Sequence, residues 1–124
     1  MKAHHLIRGS HSEATACKWL RSKGLKLVTR NFSCPLGELD LIMLDQQCLV
    51  IVEVRYRRNS HFGGALESVS RGKQLRIART TEIFLQARPE YARYPVRFDV
   101  VAVSGRNSNQ PFDWRRNAFY FDHM

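Results

Sequence analysis

The stretch GELDLIMLDQQCLVIVEVRYRR, residues 37 to 58, holds the feature that most constrains the fold: from Leu49 to Val54 every residue except Glu53 is apolar. A strand that is apolar on consecutive positions is buried on both faces, so helices have to cover it from both sides. Two carboxylates interrupt this core pattern, Asp40 between Leu39 and Leu41 and Glu53 between Val52 and Val54. Burying a charge is costly unless something pairs with it. Either these acids have structural partners, or they are placed to hold something the chain does not contain.

The rest of the chain reads as alternating elements. A helix opens at Ser10, with Glu13, Ala16, Cys17 and Leu20 on one face, and stops at Gly24. Strands follow at 25–31, 38–44 and 49–57, joined by the turn at 34–37 and the short link 45–48. Residues 59–65, with Gly63 and Gly64, form a loop. A helix at 70–87 turns Leu75, Ala78 and Leu85 inward and sets Lys73, Arg76 and Arg79 on another side; Pro89 ends it. A fourth strand spans 96–103, a polar loop 105–111, and a short apolar tail 117–121. The helix between the third and fourth strands makes them parallel neighbours, while the first three form an antiparallel meander. The expected fold is therefore α/β, a mixed central sheet flanked by helices in the order αβββαβ, one domain across 1–124.

Strand residues two apart share a face, so Glu53 and Arg55 lie with Leu49 and Ile51. Asp40 falls near the level of Glu53 if the second and third strands pair across the link. Carboxylates about 5 Å apart repel unless a cation lies between them. Hard divalent ions take oxygen ligands, which Asp40, Glu53 and the Val54 carbonyl could supply, with Glu38 as a spare. An Arg55 ion pair to Glu53 or Asp40 would satisfy the acids without a metal.

Charge points to the partner. Twenty Lys and Arg against eleven Asp and Glu leave a net +9, with a pI near 10.1, spread along the whole chain. A polyanion, nucleic acid above all, fits that balance. Three cysteines without a CxxC pair suggest neither a disulfide framework nor a zinc site, and fit a reducing cytoplasm. The longest aliphatic run, Leu49 to Val52, is far short of the roughly 20 residues of a membrane span.

The pattern Asp40, twelve residues, then Glu53-Val54-Arg55 resembles the D-x12-E-x-K signature of the restriction-endonuclease-like, or PD-(D/E)xK, nuclease superfamily. Gly9, Glu13, Ala14, Leu20, Gly24, Asn31, GELDLI at 37–42, VIVEVRYR at 50–57, Phe62-Gly63, Val69, Lys73 and RFDVVAV at 97–103 together look like the YraN family, predicted endonucleases similar to archaeal Holliday junction resolvases. The resemblance implies a Mg²⁺- or Mn²⁺-dependent endonuclease acting on structured or branched DNA, and admits a homodimer. It maps the metal-binding acids onto Asp40 and Glu53, and a further helix acid onto Glu13. The lysine maps onto Arg55, a departure: a guanidinium offers no neutral amine as proton acceptor, though it can orient a phosphate or stabilise developing negative charge. That departure also favours a rival reading, a nucleic-acid-binding or adaptor protein that kept the fold without turnover.

Other residues have two readings. Ser10-x-x-Glu13 is also a capping-box sequence. Lys73, Arg76 and Arg79, with Arg57, Arg58 and the nearby His61 and Phe62, suit contacts to a nucleic-acid backbone and equally a solvated basic face. Asp99, in an apolar strand, is expected to pair with an arginine, and Trp114 and Phe119 to cap the core.

Overall fold

The computed structural model describes residues 2–57, 69–105 and 109–121, with side chains of the first helix from His11 onward. The order is α1 (Lys2–Ser22), β1 (Lys26–Cys34), β2 (Gly37–Asp45), β3 (Cys48–Arg57), α2 (Arg71–Ala87), a 3-10 turn (Pro89–Tyr91), β4 (Val96–Ser104) and β5 (Phe112–Phe119). The strands form one sheet in the order β1-β2-β3-β4-β5. Only β3 and β4 run parallel; the other neighbours are antiparallel. The fold is the expected mixed α/β arrangement, consistent with a restriction-endonuclease-like core, with a fifth strand added.

Period-two alternation in the strands sorts the core into two layers. Leu41, Met43, Val50, Val52, Val101 and Val103 pack under Ala16, Cys17 and Leu20 of α1. Ile42, Leu49, Ile51, Phe98 and Val100 pack under Ile77, Ala78 and Phe84 of α2. The consecutive apolar residues of β2 and β3 thus serve opposite faces, as a doubly covered strand requires.

Three expectations need correction. The first helix begins at Lys2, not at Ser10, so Ser10 lies inside it. An N-cap needs the orphan N–H groups of a first turn, and Ser10 has none to bond, so the capping-box reading of Glu13 falls. Gly24 does end the helix, in a left-handed conformation at φ 101°, with the Leu25 N–H donating back to the Leu20 carbonyl at 3.2 Å. The second correction is β5, Phe112–Phe119, since the sequence assigns no element to 112–116 and only a short tail from Asn117. Its middle, Arg115 to Asn117, is polar and exposed because it is an edge strand, and a bulge breaks its alternation. In the third, Leu75 faces out, 41% exposed, and the buried face of α2 is Ile77, Ala78, Thr80, Thr81 and Phe84. The loop expected at 59–65 lies outside the described residues.

Asp99, fully buried, explains how β5 is held. The β4–β5 register shifts between Phe98 and Val100, and Asn117 takes a positive φ of 53° there. Asp99 Oδ1 accepts the Asn117 N–H at 3.0 Å, Oδ2 accepts Trp114 Nε1 at 2.9 Å, and the Arg97 guanidinium forks onto both oxygens. Arg97 also reaches Asp45 at 3.1 Å, tying the β2–β3 turn to the same network. Asp99 therefore has the arginine partner expected of it, and Trp114 and Phe119 belong to the core rim; the Phe119 ring stacks on Phe98 at 5.0 Å. Replacing Trp114 by Phe removes one hydrogen bond to a buried charged acceptor and is expected to cost about 1.5–3 kcal/mol, read as a lowered urea midpoint with an unchanged slope.

Candidate functional site

The β1–β2–β3 meander breaks its own pleat at the level of Asp40. On either side of Asn31 the ladder pairs Arg30 with Leu41 and Phe32 with Leu39, leaving out Asn31 and Asp40. Asn31 sits at φ 55°, a conformation asparagine tolerates better than most residues. Leu41 faces α1, whereas Leu39 and Phe32 join the α2 layer, so both strands change face there.

The β2–β3 ladder stops at the same level. Its last pair is Leu41 with Val52, and the next step in register sets Asp40 against Glu53. There the strands fork, and a side chain does the work of a carbonyl: Asp40 Oδ2 accepts the Val54 N–H at 2.8 Å. Gly37, at the entry to β2, lets the hairpin approach α2 closely, since a Cβ there would meet Thr80 Oγ1 at 2.9 Å.

Four acids converge on this fork. Glu13 comes from α1, on the stripe with Ala16, Cys17 and Leu20; Glu38 and Asp40 come from β2, and Glu53 from β3. Oxygens of Glu13, Glu38 and Asp40 lie within 4.8 Å of one another. Asp40 is in hydrogen-bonding contact with both Glu13 and Glu53, so the carboxyls run in a chain from one helix layer to the other. Asn31, its amide oriented by its neighbours, donates to Glu13 Oε1 at 3.0 Å and Oε2 at 3.1 Å.

The electrostatics follow from crowding like charges in a dry place. Burial pushes the Glu53 carboxyl up from its ordinary 4.5 to about 8, helped by the hydrogen bond and charge of Asp40 and only partly opposed by Lys73. Asp40 is also raised, chiefly by burial and then by the Glu13 charge, against the lowering effect of Glu53 and the Val54 N–H. Glu13 is raised by burial first, with Glu38 and Glu53 adding repulsion and Arg30 opposing it.

A cation in contact with Glu53 comes from α2. Lys73 Nζ lies 2.6 Å from Glu53 Oε2. By sequence Lys73 goes with Arg76 and Arg79, but it precedes Ile77 by four residues and shares the sheet-facing side, while Arg76 and Arg79 are exposed. Arg55, half-buried, follows Glu53 by two on β3 and so shares its face. Arg57 is turned inward: its Nε and Nη2 donate to Ser104 Oγ at 3.1 and 2.9 Å, and Nη1 lies 3.7 Å from Asp113. Its side chain is 11% exposed, which leaves little of it for a phosphate. Arg58, His61 and Phe62 lie outside the described residues.

The structure thus brings Glu13, Asp40, Glu53 and the Val54 backbone together, adds Glu38, and separates Arg57 from the solvent-facing Arg76 and Arg79. Two roles escaped the sequence reading. Asn31 matched the family pattern without an assigned job, and its signal was an Asn where a strand had to turn its face. For Lys73 the signal was the four-residue step to Ile77.

No helix among the described residues is long and apolar enough to cross a membrane. Residues 12–103 match the model of a family described as "Uncharacterised protein family UPF0102". A UPF0102 protein of Stutzerimonas stutzeri (strain A1501) is 49% identical over 111 residues, covering 90% of this chain and 92% of its own length. Another, from Ectopseudomonas mendocina (strain ymp), is 47% identical over 119 residues, covering 96% and 98%. A third, from Pseudomonas putida (strain GB-1), is 46% identical over 112 residues. With nearly end-to-end similarity and a family match that contains Glu13, Asp40 and Glu53, the chain belongs to UPF0102, the YraN family.

Proposed function

We propose that this protein is a divalent-metal-dependent endonuclease acting on structured or branched DNA. The observation that supports it most is the convergence of Glu13, Asp40 and Glu53, with Glu38, at a fork where burial and mutual repulsion raise three of the carboxyls. An all-oxygen donor set of this kind suits Mg²⁺ or Mn²⁺. A bound ion there would supply Lewis-acid polarisation of a phosphate oxygen and a more acidic water.

The chain's own residues do the rest. Asp40 is fixed by the Val54 N–H, which holds one of its oxygens in the strand fork. Asn31 orients Glu13 from the opposite side. Arg55, on the Glu53 face, carries a permanent positive charge suited to orienting a phosphate. Exposed Arg76 and Arg79 on α2 can follow the backbone of a nucleic acid.

A second reading, a non-catalytic nucleic-acid-binding module, has its own support. Lys73 already gives Glu53 a counter-charge, and Arg55 stands where the superfamily has lysine.

The deciding experiment incubates labelled four-way junctions, flaps, linear duplex and RNA with the protein in Mg²⁺ or Mn²⁺. Metal-dependent scission of a branched DNA in preference to linear duplex is expected. Binding without scission on any substrate would leave the binding module. In either case affinity should fall steeply with salt, by roughly 0.9 in log-log slope per neutralised phosphate on duplex DNA; a flat response would mean that the +9 charge serves solubility alone.

A further inference from the structure

The first turn of α2 is built against its local rules. Ser70 caps the helix, its Oγ accepting the Lys73 N–H at 3.1 Å. A Ser in that place is normally answered three residues later by Glu or Gln, closing a capping box, and acids are favoured in the first turn by the helix dipole. Here the position holds Lys73, and the first turn carries no acid. A lysine there forgoes both stabilising effects. Its ammonium instead crosses to β3 and lies 2.6 Å from Glu53, whose side chain is only 6% exposed.

We infer that Lys73 is a built-in competitor of the divalent ion: it occupies at Glu53 the charge position that the ion takes, and has to leave Glu53 for the ion to bind tightly. The inference rests on the metal site of the reading above and adds its regulation. Two features make departure feasible. The backbone of Lys73 is pinned by the Ser70 cap, so the helix need not move. The side chain is 34% exposed, so the ammonium has a route to solvent or to an approaching phosphate. Burial of Glu53 makes the contact matter, because charges at this separation are weakly screened there. Nucleic acid would then favour metal loading by giving Lys73 another anionic partner, and metal would favour nucleic-acid binding by the same factor.

The test is Mn²⁺ titration of the full chain by calorimetry at about pH 8, where Glu53 is no longer fully protonated, and at fixed salt, without nucleic acid. Lys73→Gln and Lys73→Met remove the ammonium, the latter keeping an apolar stem of similar length. Both are expected to bind Mn²⁺ at least about tenfold more tightly than wild type, since a unit charge this close outweighs one decade of affinity. Lys73→Arg keeps the competitor and should stay near wild type. Arg79→Gln loses the same charge on the exposed side of α2 and should change affinity by less than about twofold, as expected for a screened surface charge. Equal affinity in wild type and Lys73→Gln, an equal gain in Arg79→Gln, or no Mn²⁺ binding by any of them would overturn the inference. If the Lys73 variants unfold without metal, refolding on Mn²⁺ supports it and failure to refold overturns it. Tighter Mn²⁺ binding without cleavage would leave this inference standing and defeat the nuclease reading; cleavage with unchanged Mn²⁺ affinity would do the reverse.

Discussion

The metal-free protein is expected to lose stability steadily as the pH rises from about 4.5 to about 8. Burial, then Asp40, raises the folded-state Glu53 carboxyl to about 8 from an ordinary 4.5. A group whose pKa is higher in the folded state binds its proton more tightly there, so its contribution is fully present below the unfolded value. That contribution is lost as pH climbs toward the folded value. Each pH unit in the window costs up to about 1.4 kcal/mol, with a ceiling near 5 kcal/mol for the whole span. Asp40 and Glu13, also raised, act in the same direction. Glu53→Gln cannot titrate and should flatten the profile. Urea unfolding of wild type and Glu53→Gln at several pH values, in chelator, checks this; parallel curves for the two would mean that Glu53 is not held protonated in the fold.

Asp40 carries two duties that substitutions can separate. Asp40→Asn keeps an oxygen for the Val54 N–H but removes the charge from the centre of the cluster. It is expected to fold and to lose metal binding by two decades or more, since a carboxylate ligand with neighbours on both sides is gone. Asp40→Ala loses the acceptor as well. It strands the Val54 N–H at the fork and should be destabilised by a further 1–3 kcal/mol or so relative to Asn. Equal stability of the two variants would show that water satisfies the Val54 N–H, and that the fork does not depend on Asp40.

Much of this arrangement is legible in the residues. The consecutive apolar positions of β3 require cover on both sides, the short link at 45–48 sets the hairpin register, and together they bring Asp40 level with Glu53. Asp99 announces a partner by being an acid in a β-branched strand, and Arg97 supplies it from the same strand. What stayed hidden depends on contacts across the chain. β5 looks like loop because its exposed middle is Arg-Arg-Asn, and only the bulge opposite Asp99 shows why it pairs. Leu39 and Leu41 serve opposite layers because the pleat breaks at Asn31, an irregularity that period-two reasoning cannot foresee, whereas Glu38 beside Asp40 is what that period predicts. Lys73 reads as one of three basic residues on a helix until Ile77 and Phe84 identify the face toward the sheet. The capping box at Ser10 fails for the opposite reason: a good local signal is overridden when the helix continues upstream to Lys2.

The proposed gathering of Glu13, Glu38, Asp40 and Glu53 around a divalent cation is tested by thermal unfolding at about pH 8 with chelator or with millimolar Mn²⁺. At that pH the ion no longer competes with a full complement of protons on Glu53. Wild type is expected to gain about 2.7 kcal/mol when the ion is at a hundred times its Kd, a rise of several degrees in Tm, while Asp40→Asn gains almost nothing. Equal responses of the two proteins to Mn²⁺, or no response in wild type, would contradict it.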